Sequence, residues 1–376
     1  MNYRPRILLL GIGAVLIAAC SGGPAATSAP PVTAAPATTA PSATTAAPTA
    51  TAAEPTATAA EPTPTAAPTI PPRQEGVLTL AHSYVDTHPA VRCGAQVIAD
   101  ELAAADVGLT IELYGGSQLG PDADRILSVQ AGDIDIDIQG ASALSAIYGP
   151  ISAVDGAFVF DDSQHMYNYL SGEASDTLKQ GFYDATGVTI LGGWNTGARQ
   201  FTANVPIRTP ADLVGLRMRF PGSPTFLLNA EAMGAEAVAV PFEELFLALQ
   251  QGTVDGQENP LVNIQTNNLT EVQDVVSMSS HQLSSNLVVV GPFWDELGPD
   301  QQAALSAAVA TAMVQEPECV AEIETQILDE WRANNTIEIV EDVDRDAFRA
   351  RAEPFLRENF TPEQIEVLDS IRSLVE

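Results

Sequence analysis

Four arginines, Arg199, Arg208, Arg217 and Arg219, fall between residues 199 and 219 of a 376-residue chain with a formal net charge of -32 and a single lysine, Lys179. A guanidinium is a planar fork that meets a carboxylate through two parallel hydrogen bonds, each contributing roughly 1.5–3 kcal/mol once water is excluded. Beyond a Debye length of about 8 Å the many acids of the chain are screened, so a local group of arginines can hold a small anion on an acidic body. A second chemical tract follows closely. Gly256 lets backbone approach something, Gln257, Glu258 and Asn259 offer donors and acceptors, and Pro260 ends the run. From the residues alone this tract is either a structural turn or a binding turn.

Other chemistry-bearing residues are sparser. Asp133, Asp135 and Asp137 alternate with Ile134, Ile136 and Ile138, so the three carboxylates share one strand face. That pattern fits a cation site or acid–base work less well than a solvated strand face or a helix cap. The histidines at 82, 88, 165 and 281 show no metal-ligand spacing, and no cofactor motif occurs. There is no Gly-x-Ser-x-Gly elbow, phosphate loop, Cys-x-x-Cys or Ser-x-x-Lys, and the acidic balance disfavours nucleic acid. The chain therefore reads as a binder and not an enzyme, the alternative being an acid-pair hydrolase that would turn its ligand over.

The elements that must position these groups alternate between strand and helix. Val77–Ala81, Leu109–Leu113, Ile134–Ile138 and Val188–Leu191 read as strands, and 90–104, 122–131 and 164–183 as helices, which is an α/β rhythm. Pro241 at a first-turn position, Glu243 and Glu244 near the positive helix end, and a stripe of Phe242, Leu245, Phe246 and Leu249 predict a helix closed by a left-handed Gly252, with 253–255 a short strand. In Arg217-Met218-Arg219-Phe220 alternation puts the two arginines on one face. The runs Val129-Gln130-Ala131-Gly132-Asp133-Ile134-Asp135 and Leu249-Gln250-Gln251-Gly252-Thr253-Val254-Asp255 echo one another faintly, as two lobes of similar design would. About 300 residues of such sequence exceed one comfortable core.

The tract from Ala248 to Pro260 resembles the signature of the solute-binding proteins of tripartite ATP-independent periplasmic (TRAP) transporters, the dicarboxylate-binding (DctP) family. Further stretches fall in that family's order: His88-Pro89, Tyr114 to Gly120, Gly197-Ala198-Arg199, Gly215 to Pro221, and His281. The resemblance spans roughly Gly76 to the C-terminus. It implies a two-lobed α/β fold of the periplasmic-binding-protein kind, in which the chain crosses between lobes more than once and ligand sits between them. It further implies that Arg219 forks onto a ligand carboxylate while Arg217 sits toward the edge. Arg199 is then either a second contact to that carboxylate or a partner holding Arg219, and Asn259 either binds ligand from another strand end or caps the turn. Gln139 and Ser83 lie at predicted strand ends where the family lines its cleft. Trp194 is either a wall of the pocket or a core residue, and His281 a structural hydrogen-bonding group.

The N-terminal region sets an expected location. Arg4 and Arg6 precede an apolar run from Ile7 to Ala19, too short to span a bilayer, and Ile17-Ala18-Ala19-Cys20 resembles a bacterial lipobox. The expected organisation is a lipoprotein signal peptide over 1–19 and a lipidated, Pro/Ala/Thr-rich tether over 20–75 with Cys20 as the lipidation site. Lobe I is then built from 76–196 and 285–324, and lobe II from 197–284 and 325–376. Lipidation at Cys20 leaves Cys93 and Cys319, which an oxidising extracytoplasmic compartment favours as a disulfide. The implied partners are a small carboxylate (an organic acid such as a four-carbon dicarboxylate or a sugar acid), the small and large membrane subunits of a sodium-driven transporter, and the membrane itself through the lipid anchor. The second reading is an accessory that docks on a sensor kinase.

Overall fold

The computed structural model describes residues 76–375. The expected signal peptide, Cys20 and the tether lie outside the described residues. In chain order the elements are β1 (Val77–Ala81), α1 (Gln96–Ala104), β2 (Thr110–Tyr114), α2 (Asp122–Ala131), β3 (Ile136–Gln139), α3 (Ala141–Leu144), α4 (Ser163–Ser171), α5 (Asp176–Thr186), β4 (Thr189–Ala203) and β5 (Arg217–Phe220). They continue with α6 (Pro224–Met233), β6 (Glu236–Ala239), α7 (Leu245–Gln250), β7 (Gly256–Pro260), α8 (Leu261–Thr266), β8 (Val275–Val290), α9 (Pro299–Asn334), β9 (Glu338–Val340), α10 (Arg345–Asn359) and α11 (Pro362–Arg372).

The described strands form one mixed nine-stranded sheet in the order β2-β1-β3-β8-β4-β7-β5-β6, with β9 against β8. The parallel trios β2-β1-β3 and β7-β5-β6 stand at opposite ends. Between them run the two long antiparallel strands. The C-terminal part of β8 pairs with β3, the C-terminal part of β4 pairs with β7, and β4 and β8 pair with each other along most of their length. Each long strand thus belongs to both ends of the sheet, which is how the chain crosses between the halves of a two-lobed α/β fold. Their register shifts between Asn195 and Ala198. Gly197 makes that bulge with φ +100°, and a Cβ there would meet the Glu324 carboxylate at 2.5 Å.

The 36-residue α9 lies along β4 and supplies both hydrophobic clusters: Leu305, Val309 and Ala312 enter one, Val320, Ile327 and Trp331 the other. Fully burying side chains of this size contributes about 1.5–3 kcal/mol each. Trp331 also donates its indole N–H to Gln265 Oε1 at 2.7 Å, anchoring the end of α9 to α8. Cys319 of α9 is disulfide-bonded to Cys93, which sits in the π-helical turn before α1.

Several predicted boundaries move for identifiable reasons. The helix expected over 164–183 is two helices, because Gly172 leaves the helical region and ends α4. The strand expected at Val188–Leu191 extends to Ala203, since β7 and β8 supply ladder partners through a glycine-rich stretch that reads as a breaker. Gly252 is left-handed as expected, but the strand after it starts at Gly256 and not Thr253, because Asp255 turns back to hold Arg217. The Asp133–Asp137 face is not solvated beyond Asp133: Asp135 is 2 % and Asp137 0 % exposed, because β3 lies inside the sheet.

The Cys93–Cys319 bridge closes a loop of 226 residues, so its loss frees much unfolded-chain entropy. Reduction, or Cys93→Ala with Cys319→Ala, is expected to cost about 2–4 kcal/mol. A calorimetric scan with and without reductant checks this; an unchanged melting temperature would contradict it.

Candidate functional site

A cavity of about 560 Å³ opens where β3, β4, β5, β7 and β8 bring residues together, within the range of small-molecule sites. Two cationic side chains line it, Arg199 and Arg219, and they differ in state.

Arg199 is neutralised. It faces β7 across the ladder, where Phe201 pairs with Glu258. Its Nε and Nη2 both donate to the Glu258 carboxylate, Nη2 to Oε1 at 2.7 Å, and Nη2 reaches Glu258 O at 2.9 Å and Asn259 Oδ1 at 3.2 Å. Nη1 donates to Ser284 Oγ at 3.1 Å, and the guanidinium lies 4.8 Å over the Phe226 ring. Glu258 is fully buried. Burial works to raise its pKa, but Arg199 and a hydrogen bond from His281 outweigh that and hold it below the usual carboxylate range. His281 in turn stacks on Phe201 at 4.4 Å and meets Ser279 Oγ through Nδ1 at 2.8 Å. Its place is the structural one expected.

Arg219 carries its charge uncompensated. On β5 it is only 2 % exposed, and its Nε donates to the Val240 carbonyl at 2.9 Å. Among the described residues no carboxylate lies within ion-pair distance of it. Burial, with a push from Arg199, brings its pKa down to about 10 against the pull of Glu258, so it is a cation at neutral pH. Its strand mate Arg217 is 44 % exposed in its side chain and salt-bridged to Asp255 at 2.7 Å, toward the edge.

The other candidate residues divide similarly. Asn259 lines the cavity and links a network: Nδ2 donates to Gln257 Oε1 at 2.6 Å, while Oδ1 accepts from Arg199 and from Asn263 Nδ2. Asn263 continues to His88 Nε2 at 2.8 Å. Gln139 lines the cavity and spends its Nε2 on Asp137. Ser83 does so too, donating to Asp122 and accepting from Arg125 Nη2 at 2.9 Å. Trp194 is the exception. It is 1 % exposed and outside the lining, its ring seated where Gly94 has no side chain; a Cβ there would lie 2.8 Å from Cζ2. Of the two readings left open for it, the core one describes its position, and the pocket-wall reading is corrected.

Sequence reasoning missed Arg125. This fully buried arginine on α2 meets Asp122 at 2.8 Å and Asp137 at 3.2 Å, and so allows β3 to carry the Asp137 carboxylate inside the sheet. The signal was present, since acids on an interior strand require a buried cation. Tyr84, whose hydroxyl donates to Asn286 Oδ1 at 2.7 Å, also lines the cavity and left no such signal.

Removing Glu258 while keeping Arg199 strands a buried charge. Glu258→Gln is therefore expected to lose about 3–5 kcal/mol in urea unfolding; a change within 1 kcal/mol (~1) would show the pair contributes little. A pH test follows from His88, which burial pushes down to about 4 against the pull of Asn263. Neutral when folded and titrating near 6.5 when unfolded, it favours the folded state above that pH and progressively less down to about 4. Relative to His88→Gln, the parent is expected to lose roughly 3 kcal/mol between those limits; parallel stability profiles would contradict it.

Residues 91–363 match the family model described as bacterial extracellular solute-binding protein, family 7. The 2,3-diketo-L-gulonate-binding periplasmic protein of Escherichia coli is 30 % identical over 270 residues, 71 % of this chain and 82 % of that protein. The chain spans about half (51 %) of one further relative, an uncharacterized Sinorhizobium fredii protein with 31 % identity over 283 residues. Among solved structures, a TRAP periplasmic solute-binding protein of Roseobacter denitrificans with bound L-galactonate superposes with TM-score 0.73 and 30 % identity, covering 79 % of this chain and 99 % of that one. One from Polaromonas bound to D-erythronate gives TM-score 0.75 and 26 % identity, covering 80 % and 100 %. With the model match spanning most of the chain and the two-lobed fold shared, this protein belongs to family 7 of the bacterial extracellular solute-binding proteins.

Proposed function

We propose that this protein is the extracytoplasmic receptor of a TRAP transporter and captures an organic carboxylate on Arg219. The observation that carries the reading is a buried guanidinium, in a cavity of ligand size, with no carboxylate of the described residues to pair with. Burying such a charge is costly unless a partner arrives, and a ligand carboxylate is that partner. Three of the ligands of relatives and structural neighbours, 2,3-diketo-L-gulonate, L-galactonate and D-erythronate, are carboxylates and support the same chemistry. The family is one of binding proteins, which favours capture and release over turnover.

The lobes part at 196/197, 284/285 and 324/325, the first of these at the bulge in β4, so that ligand bridges strand ends from both sides and stabilises a closed state by binding it better than an open one. The closed receptor then delivers its cargo to a membrane partner of small and large subunits, with a sodium gradient as the driving force. Cys20 carries the lipid that keeps the receptor at the membrane, and 20–75 is the tether. Among the described residues no helix is long and apolar enough to cross a membrane.

Arg219→Ala is expected to abolish the thermal shift that organic acids give the parent protein, a loss of about 3–6 kcal/mol for two charged hydrogen bonds. Its melting temperature without ligand should not fall by more than a few degrees. Retained acid binding by the folded variant would contradict the assignment.

A further inference from the structure

His88 stands outside the cavity lining, yet its hydrogen bonds lead into it. It is 1 % exposed and its ring stacks on Tyr84 at 4.3 Å. Pro89 has no N–H, so the first backbone donor after His88 is that of Ala90, which meets His88 Nδ1 at 3.1 Å. A backbone N–H can only donate, so Nδ1 accepts and the ring proton sits on Nε2. Nε2 therefore donates to Asn263 Oδ1 on α8, at 2.8 Å. With its oxygen so held, Asn263 turns its nitrogen to Asn259 Oδ1 at 3.1 Å. The far end is fixed independently, because Arg199 Nη2, another group that can only donate, meets the same Asn259 oxygen at 3.2 Å. Asn259 Nδ2 then donates to Gln257 Oε1 at 2.6 Å, and Gln257 is oriented in turn by its own amide N–H on Thr202 Oγ1 at 2.9 Å.

The two fixed donors leave one orientation for both asparagine amides. Each amide nitrogen carries a second hydrogen, and both residues line the cavity. Asn259 lies two residues beyond Gln257, the ladder partner of Arg219, so its side chain and that of Arg219 rise from the same face of adjacent strands. Resting on the carboxylate-receptor reading, we propose that His88 is a positioning residue for capture: acting through Asn263, it holds the Asn259 amide with its nitrogen, and not its oxygen, toward a carboxylate on Arg219. An amide can turn over with little change of shape, and its oxygen would repel the carboxylate that its nitrogen attracts. Loss of the His88 N–H leaves Asn263 Oδ1 without that donor and frees Asn263 to turn, which takes from Asn259 one of the two donors that set its orientation.

Isothermal titration of the purified protein with D-erythronate, L-galactonate and succinate tests this, the tightest binder of the three serving for the variants. His88→Phe keeps a ring beside Tyr84 and removes both nitrogens. In the folded variant affinity is expected to fall at least fivefold, and a smaller loss overturns the inference while leaving the carboxylate reading standing. His88→Gln, whose amide N–H can reach Asn263, should bind at least threefold tighter than His88→Phe; a smaller difference assigns the effect to the shape of the ring and overturns the role of its N–H. In an Asn263→Ala background the change His88→Phe should weaken binding less than twofold, because the route is already broken, and a larger loss there overturns the path through Asn263. A residue that only stabilised the fold would lower the melting temperature in these variants and leave the affinity of the folded protein unchanged. Where His88→Phe does not fold, His88→Ala is judged by the same criteria. A parent that binds the neutral control erythritol and none of the acids overturns the carboxylate reading, and this inference with it.

Discussion

The interaction on which the site depends is the buried ion pair between Arg199 and Glu258. Two guanidinium groups face one cavity, and among the described residues only one of them, Arg199, is ion-paired, to the buried Glu258. Because that carboxylate closes on Arg199 through both of its oxygens, Arg219 is left as a desolvated cation whose one hydrogen-bond acceptor among the described residues is a backbone carbonyl. A protein pays for such an arrangement in stability, and the cost is recovered when an anion enters. The same pair keeps Arg199 engaged with the protein and leaves Arg219 to meet that anion.

The scaffold makes this tolerable by placing the charged groups where two ends of one sheet meet. β4 and β8 run through both ends, and their bulge near Gly197 brings Arg199, Glu258 and Ser284 together. Arg219 comes from the neighbouring parallel strands, and Gln139 and Asn259 from two different strands. No single element could present them all. Long helix α9, tied to the first helical segment by Cys93–Cys319 and to α8 by Trp331, packs along the shared strand β4 and contributes to both clusters. A second arginine-centred network, Arg125 with Asp122, Asp137 and Ser83, holds the other rim.

Part of this was legible in the sequence. Strand alternation alone put Arg217 and Arg219 on one face, and Gly252 announced the left-handed stop before β7. Strand β1 and helix α2 fall where their patterns put them. What escaped were properties that local pattern does not carry. Asp137 and Asp135 read as solvated because their partners, Arg125 and Thr79, lie on other elements. The length of β4 was hidden by its glycines, whose weak strand preference is overridden by ladders on both sides. The claim of Glu258 on Arg199 depends on cross-strand register, and register is a tertiary fact. Trp194 illustrates the converse, since only the position of Gly94 shows that its ring is core and not pocket wall.

The most direct test of the central claim is a crystal structure of the protein grown with D-erythronate. The account predicts the ligand carboxylate in a two-point hydrogen-bonded fork on Arg219, with Arg199 still closed on Glu258. A carboxylate seated away from Arg219, or an Arg219 turned onto a carboxylate of the protein with ligand bound elsewhere, would contradict it.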